Sequence, residues 1–421
     1  MLILIDNVGY GDLGCYGNLA VKTPHLDALA TQGVRCLDFY IPSSSCMPSR
    51  GALLTGRHPL RTGLNEQVWR IDEMEQRVLP LRESLLPSYL KPGGYLTACF
   101  GKWNLGFAPG HRPTERGFDE FFGHASGNMH EYTHVYNGRN DLFRGIEPVI
   151  VEGHSTDLFA DAACEFIRRN ARKPFFVYLP FNAVHFPNPV NFAPGDPVIW
   201  QAPAEAFSAY GCTPDEPDPR RRYLAVLTAL DAGIGRVLAQ LEKLRLAENT
   251  LVIVLSDNGA FMLKNRGLEV ASNAPLRDGG TTTYEGGIRV PCIIRWPGRI
   301  AAGTVCREPL VSLDLLPLIL DAASRPLPAD RVLDGRNPLA ALAGKAASPH
   351  ESLFFEYGKF SALRTGRYKL VRANPDAAFE LYDLETDIAE RKNLASEKPD
   401  VVARLSAARD RWLKAIASAK N

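Results

Sequence analysis

The sequence predicts an α/β fold with a mostly parallel central sheet, followed by a small antiparallel sheet and a terminal helix. Several short apolar runs lack polar alternation, which is typical of strands that are buried on both faces. Helical patterns separate these runs along the chain, as expected for strands that alternate with helices. Near residue 345 the pattern changes to short strands joined by turns, and this change indicates the second sheet.

The buried strands are expected where consecutive residues are apolar. These runs are Leu2–Ile5, Leu96–Phe100, Phe175–Leu179, Leu251–Leu255 and Pro291–Arg295. Helices are expected over Asp157–Arg172 and Arg221–Leu246. In the second of these, apolar residues recur three or four positions apart, as one face of a helix requires. The alternation therefore predicts an open sheet with helices packed against it.

The C-terminal part of the chain is predicted to form a small domain of its own. Its strands are expected over Ser352–Tyr357, Ser361–Arg372 and Phe379–Leu384, and its final helix over Asp400–Ala419. The stretch Ala323–Ser348, which is rich in Pro, Gly and Ala, is the expected link. We therefore predict a large domain over residues 1–345 and a small α+β domain over residues 346–421.

Composition and charge exclude several classes of function. The chain has 421 residues, of which 45% are hydrophobic and 23% charged, as in globular proteins. Because the net charge is only +1, no global field attracts nucleic acid or anionic lipid. The apolar runs are shorter than the ~20 residues that span a bilayer. We expect neither nucleic acid nor a membrane as a partner.

Cysteine usage and the chain start carry less information. Eight cysteines without a C-x-x-C motif indicate neither a disulfide scaffold nor zinc, so those other than Cys46 are interpreted as core residues or an occasional bridge. Met1 runs directly into Leu2–Ile5, without a basic region or a small-residue cleavage site. The localisation stays open: cytoplasmic as given, or periplasmic or secreted if the start lies inside a longer gene product.

Polar residues follow the predicted strands at the point where each strand ends. They are Asp6 and Asn7, Lys102, His185, and Asp257 and Asn258. Ligands of open α/β sheets bind beyond the carboxyl ends of the strands, so parallel strands would bring these side chains to one rim. Carboxylate and amide oxygens suit calcium or magnesium better than zinc. Each Asp-Asn pair alone is more often a turn, and their joint placement is what indicates a metal site.

The segment around Cys46 predicts a short helix. Pro48 near its start and Gly56 at its end are typical of helix termini. Cys46 would lie at the N-terminus, where free N–H groups and the helix dipole favour an anion. Arg50 lies four residues further on and shares that face. Taken alone, Cys46 would be interpreted as a buried thiol.

The segment Cys46–Arg57 resembles the sulfatase signature Cys-x-Pro-Ser-Arg-x-x-x-Leu-Thr-Gly-Arg at every fixed position. Further segments are similar to other blocks of that family: Asp6–Gly17, Gly101–Gly106, Arg116–Asp119, Ser256–Gly259, Tyr284–Pro291 and Glu380–Leu384. The resemblance covers nearly the whole chain. It implies the alkaline-phosphatase-like α/β sandwich and a hydrolase of sulfate esters.

The resemblance also implies cofactors and partners. A formylglycine-generating maturation enzyme would oxidise Cys46 to formylglycine, whose hydrate attacks the sulfur of the ester. Calcium, or alternatively magnesium, would be held by Asp6, Asn7, Cys46 (as formylglycine), Asp257 and Asn258. The substrate would be a sulfated small molecule or glycan, and the breadth of the family favours a carbohydrate by analogy.

Roles for the remaining residues follow from the same resemblance. Arg50 would fix the formylglycine oxygen and offset charge. Lys102 and His185 would bind the sulfate oxygens, and Asp257 would protonate the leaving alcohol. Ser126 is a further candidate contact to the sulfate.

Three positions depart from the family pattern. Asn7 stands where a second aspartate is common, Asn104 where a histidine acts as a base, and Gly280 where a lysine binds sulfate. Arg277 or Lys264 could replace that lysine. These departures leave two alternatives open: a weakened or inactive relative that binds sulfated glycans, and a phosphate or phosphonate ester hydrolase.

Overall fold

A large mixed sheet lies at the centre of the molecule. The structure is a computed structural model that describes residues 1–67, 78–262 and 269–418. In spatial order the strands of the sheet are β13 (Thr304–Cys306), β2 (Val34–Cys36), β12 (Cys292–Arg295), β11 (Val252–Ser256), β1 (Leu2–Ile5), β10 (Phe175–Pro180), β4 (Leu96–Lys102), β5 (Glu120–His124), β8 (Leu142–Arg144) and β9 (Glu147–Pro148). The central strands β11, β1, β10, β4 and β5 run parallel, which confirms the predicted α/β fold.

The central strands are mainly apolar because both faces of the sheet are covered. In β1, Leu2 and Leu4 belong to the core on one face, whereas Ile3 and Ile5 belong to the core on the other. Side chains along a strand alternate between the two faces, so a strand buried on both shows no polar alternation. This is why the sequence reveals β1 with its correct bounds.

Helices cover both faces of the sheet. Among the described residues the α-helices are Pro24–Gln32, Cys46–Thr55, Pro59–Thr62, Leu86–Leu90, Ser155–Arg169, Ala204–Ser208, Pro219–Lys243, Glu285–Ile288, Leu315–Ala322, Leu339–Leu342 and Pro399–Ser418. The helix predicted over Arg221–Leu246 starts earlier, because Asp218 accepts a hydrogen bond from Arg220 N and Pro219 occupies the first position. By length and composition this helix could cross a membrane, but 67% of its most apolar stretch is buried within the fold.

A second, antiparallel sheet follows near the C-terminus. Its strands are β15 (Ser352–Tyr357), β16 (Phe360–Thr365), β17 (Tyr368–Arg372) and β18 (Glu380–Asp383). The stretch predicted as Ser361–Arg372 forms two strands, because the chain reverses at Gly366, whose φ of 54° is favourable for glycine. The final helix, Pro399–Ser418, confirms the helix predicted over Asp400–Ala419. Ala419 itself lies outside the described residues. The division at residue 345 stays a prediction.

Short strands complete the fold. They are β3 (Phe39–Tyr40), paired with β14 (Leu310–Val311), and β6 (Val135–Tyr136), paired with β7 (Arg139–Asn140).

Buried charges join the small sheet to the elements packed against it. The Nζ of Lys369, in β17, lies 2.8 Å from Glu285 Oε1 and 2.9 Å from Glu390 Oε1. The hydroxyl of Tyr40 donates to Glu285 at 2.7 Å, and Arg289 lies 3.2 Å from the same carboxylate. Glu285 begins the helix Glu285–Ile288, so buried ion pairs hold the small sheet against this helix.

Candidate active site

Two acidic and amide pairs meet at the carboxyl rim of the sheet. Asp6 and Asn7 follow β1, and Asp257 and Asn258 follow β11, its parallel neighbour. The four side chains are all buried. The backbone N–H of Asn7 donates to Asp257 Oδ1 at 3.1 Å, and the side-chain amide of Asn258 donates to Asn7 Oδ1 at 2.6 Å. The structure therefore brings together the four residues that the sequence singled out.

Cys46 begins the helix that faces this rim. Ser45 precedes the helix in an extended conformation, and Gly56 ends it with a φ of 66°. The Sγ of Cys46 lies 3.6 Å from Asp6 Oδ1 and 3.7 Å from Asn7 Oδ1. Burial and the neighbouring Asp257 raise the pKa of the thiol well above its usual range, so Cys46 is an uncharged thiol in this environment.

Two cations balance the two carboxylates. Arg50 donates from Nε and Nη2 to Asp257 Oδ2 at 2.9 and 2.7 Å, and Lys102 Nζ lies 2.5 Å from Asp6 Oδ2. All four side chains are fully buried. A buried charge is costly unless it is paired, and here each carboxylate has a cation in direct contact. This arrangement fixes the orientation of both carboxylates.

His185 reaches the same rim from the loop after β10. Its Nδ1 lies 2.9 Å from the backbone carbonyl oxygen of Phe186 and 3.1 Å from Asn128 Nδ2. The carbonyl oxygen can only accept from Nδ1, whereas the Asn128 amide can only donate to it, so these two contacts favour opposite tautomers of the His185 ring. With Asp6 and Cys46, His185 forms a group whose possible ligand atoms all lie within 4.8 Å of one another.

The residues present fit a hard divalent cation. The buried Oδ1 of Asn258 has no hydrogen-bond partner among the described residues, although buried polar atoms are normally paired. The side-chain nitrogen of Asn258 donates to Asn7 Oδ1, and the carboxylates of Asp6 and Asp257 are buried at the same rim. Oxygen donors of this kind suit calcium or magnesium. The buried Oδ1 of Asn258 is therefore a candidate metal ligand.

Comparison with known proteins decides the family. The model of the sulfatase family matches residues 1–324, and that of the N-sulphoglucosamine sulphohydrolase C-terminal region matches residues 281–412. The chain is a member of the sulfatase family. It is 34% identical over 390 residues to N-acetylgalactosamine-6-sulfatase of Canis lupus familiaris, which covers 88% of this chain and 70% of that protein. Arylsulfatase A of Homo sapiens is 35% identical over 405 residues, with coverage of 88% and 73%.

A solved sulfatase-like structure supports the same assignment. The crystal structure of Ps i-CgsB in complex with k-i-k-neocarrahexaose superposes with a TM-score of 0.86 at 27% sequence identity. The match covers 98% of this chain and 91% of that chain. The alkaline-phosphatase-like fold implied by the signature is thereby confirmed.

Asn104 departs from the family pattern in this sulfatase. Its side chain is buried, and neither amide atom has a hydrogen-bond partner among the described residues. Its φ is 54°, a conformation that asparagine and histidine tolerate better than most residues. The backbone therefore accommodates the asparagine, and the same conformation is open to histidine.

Gly280 is enclosed by an aromatic ring. A Cβ built at this position would lie 2.7 Å from Cδ2 and 2.8 Å from Cε2 of Phe261. The neighbouring Thr281 donates its backbone N–H to Ser44 O at 2.8 Å, so this loop lies against the segment that leads to Cys46. In this sulfatase the Phe261 ring occupies the space in which a side chain at position 280 would begin.

Of the two cations considered as substitutes for the lysine, only Arg277 belongs to the described residues, and its side chain is engaged elsewhere. The guanidinium of Arg277 lies 3.8 Å from the centre of the Tyr284 ring and donates to the Tyr382 hydroxyl at 2.8 Å. It is thus engaged with the C-terminal sheet. Lys264 lies outside the described residues.

Ser126 is buried near the rim, but its hydroxyl is already engaged. It donates to the carboxylate of Asp141, and its backbone N–H donates to the same group at 3.1 Å. The hydroxyl also lies 2.9 Å from Asn128 O. A contact between Ser126 and sulfate stays a prediction.

Sequence reasoning missed three residues close to the site. Asn128 contacts His185, and Phe261 contacts Gly280. Tyr357, at the end of β15, forms a side-chain hydrogen bond with Ser45, the residue before Cys46. No local pattern marks these residues, because each meets its neighbour only through the folding of distant segments.

Proposed function

We propose that this sulfatase hydrolyses a sulfate ester, on a carbohydrate, through a formylglycine made from Cys46 and a bound calcium ion. The observation that supports the proposal most strongly is the contact of Cys46 with two buried oxygen donors, Asp6 and Asn7, whose neighbours at the rim include a lysine on Asp6 and an arginine on Asp257. When bound, the formylglycine and the metal would supply a strong oxygen nucleophile and charge stabilisation at the sulfate.

The metal would be held by Asp6, Asn7, Asp257 and Asn258, together with the residue at position 46. The buried and unpaired Oδ1 of Asn258 supports this ligand set. Magnesium is the alternative ion, and a direct titration with both ions distinguishes them.

The remaining residues would orient the reactants. Arg50 holds Asp257 through two N–H groups, which keeps the carboxylate directed at the rim, where it would protonate the leaving alcohol. Lys102 and His185 would donate hydrogen bonds to the sulfate oxygens as charge grows on them. Lys102 is fully buried, so its contact with a sulfate oxygen would count for more than it would on a surface.

A sulfated carbohydrate is the substrate class that the relatives favour. The names of the curated relatives include an N-acetylgalactosamine-6-sulfatase, and the similar solved structure holds a neocarrahexaose. The maturation partner of this chain would be a formylglycine-generating enzyme that acts on the Cys46–Arg57 signature.

The test is multiple-turnover hydrolysis by protein matured in the presence of a formylglycine-generating enzyme and calcium. Peptide mass establishes that Cys46 has been converted, and an aryl sulfate is then compared with the matching aryl phosphate. We expect sustained sulfate release that falls by about 10⁵-fold or more in Cys46→Ala. Asn104→His tests the missing base, and we expect it to raise kcat by about 10-fold or more.

Other outcomes would replace the proposal. Preference for the phosphate ester would indicate the phosphatase alternative. Binding of sulfated oligosaccharides without release of sulfate, despite full conversion of Cys46, would indicate a non-catalytic binder.

A further inference from the structure

Three buried cysteines lie side by side on neighbouring strands of the large sheet. The proposed reaction uses none of them. Cys36, in β2, is the register partner of Cys292 in antiparallel β12 and also of Cys306 in parallel β13. All three thiols belong to the same core cluster, and all three are free. Cys36 therefore has a thiol on each side of it.

The register alone brings these thiols within reach of a covalent bond. Neighbouring strands of a sheet lie about 4.7–4.9 Å apart, and register partners have their side chains on the same face. A disulfide requires Cα atoms about 4.4–6.8 Å apart. By strand spacing, both pairs are therefore candidates for a disulfide.

Backbone contacts favour the pair Cys36 and Cys306. Between Cys36 and Cys292 lies the Tyr16 hydroxyl, which donates to Cys36 O at 2.7 Å and accepts from Cys292 N at 2.8 Å. The Tyr16 hydroxyl thus bridges the backbone groups of Cys36 and Cys292 at this point of the ladder. In contrast, Leu37 N donates directly to Cys306 O at 2.8 Å, so β2 and β13 stay closely paired.

Access from solution also favours Cys306. Its strand, β13, has three residues and lies at the edge of the sheet. Cys306 is 5% exposed, whereas Cys36 and Cys292 are fully buried, and the adjacent Val305 is 44% exposed. A short edge strand opens locally more readily than a central one, so Cys306 is the first of the three thiols that an oxidant meets.

We propose that Cys36 and Cys306 form a disulfide that fixes the edge strand β13 to β2. The oxidant is a small disulfide such as oxidised glutathione. The thiolate of Cys306 attacks one sulfur of it, the oxidant's S–S bond breaks, and one glutathione leaves. The thiolate of Cys36 then attacks Sγ of Cys306 and expels the second glutathione. The two protons lost by the cysteines end on the two glutathione thiols, and the two electrons reduce the oxidant.

The bond would act on stability and not on the chemistry. Hydrogen bonding to Cys36 and burial raise the pKa of the Cys306 thiol in the closed sheet, so the reaction is expected to be slow and to follow opening of β13. Once formed, the bond closes a long loop between two strands that meet only in the folded state. It restricts the unfolded chain and leaves the rim of the sheet untouched.

The test maps disulfides in the full chain after incubation with oxidised glutathione, with a reduced sample alongside. Free thiols are alkylated before digestion with trypsin, which separates the three cysteines. The peptides are Cys36–Arg50, Val290–Arg295 and Ile300–Arg307. We expect Ile300–Arg307 linked to Cys36–Arg50, with fragmentation placing the bond at Cys36 and not at Cys46. We also expect a Tm about 5 °C higher than in the reduced sample.

Matched variants sharpen the result. Cys306→Ser should abolish both the linked peptide and the rise in Tm, whereas Cys164→Ser, which alters a cysteine outside the row, should keep both. A bond between Val290–Arg295 and Cys36 would overturn the assignment of the partner. Recovery of Cys36 and Cys306 as alkylated thiols after prolonged oxidation would overturn the proposal, and this result needs no variant to fold.

Discussion

Two buried clusters of charge differ in what they leave unpaired. At the rim of the large sheet, Asp6 and Asp257 are held by Lys102 and Arg50, yet the buried Oδ1 of Asn258 has no partner among the described residues. At the interface with the small sheet, the buried Oε1 of Glu390 has no hydrogen bond either, but the ammonium of Lys369 lies 2.9 Å from it and supplies the opposite charge. Unpaired acceptors cost stability, and a protein retains them where a ligand will bind.

The comparison also separates two consequences of mutation. Substitution at the rim should act mainly on turnover and metal affinity. Substitution at the interface should act mainly on the free energy of unfolding. Glu285 illustrates the interface: burial alone would raise its pKa, but Lys369 and Arg289 outweigh burial and hold the pKa below its usual value.

The largest effect is expected at the rim. Asp257→Ala removes a proposed metal ligand and the partner of Arg50, so kcat/KM should fall by about 10⁴-fold or more. Steady-state kinetics on the matured enzyme measure this loss. The exposed Asp321→Ala is the control and should leave kcat/KM unchanged. Near-normal activity in Asp257→Ala would remove the basis for the proposed site.

The second-largest effect is expected at the interface with the small sheet. Lys369→Met leaves the carboxylates of Glu285 and Glu390 buried without their shared cation, which should lower the free energy of unfolding by about 3–5 kcal/mol. Denaturant unfolding measures the change. The exposed Lys359→Met, in the turn before β16, should change it by less than about 0.5 kcal/mol. An equal change in the free energy of unfolding in the two variants would show that the buried ion pairs stabilise the fold no more than an exposed lysine does.

Metal removal should distinguish the two clusters. Calcium at about 100 times its Kd should stabilise the protein by about 2.7 kcal/mol, and a chelator should reverse this gain. Thermal unfolding with and without calcium measures the shift. Asn258→Ala should reduce the shift because it removes the unpaired acceptor. If Lys369→Met reduces it as strongly, the ion binds elsewhere or the two clusters are not independent.

A smaller effect is expected beside the rim. Gly280→Ala places a Cβ against the Phe261 ring and should lower the free energy of unfolding by about 1–3 kcal/mol. In a Phe261→Ala background the same substitution should cost less, and a double-mutant cycle measures the difference. Gly127→Ala, whose Cβ would make only ordinary contacts, is the control. A cost that is unchanged without the ring would mean that Phe261 does not fill this space.

The sequence by itself determined the fold class, the family and the group of residues at the rim. Apolar runs reveal β1 and β10 because burial on both faces removes polar alternation, and this signal is local. The signature from Cys46 to Arg57 is contiguous, so it is visible without any structure. Parallel strands then bring their carboxyl ends together, which is why Asp6 and Asp257 could be expected at one site.

The tertiary structure alone decided the contacts between distant segments. Phe261 occupies the space at Gly280, Arg277 turns toward the C-terminal sheet, and Cys36 lies between two other cysteines. None of these contacts leaves a periodic or contiguous trace, because each depends on strand order and on side-chain packing between remote parts of the chain. Local patterns report burial and secondary structure, whereas which side chains meet is settled only when the sheet assembles.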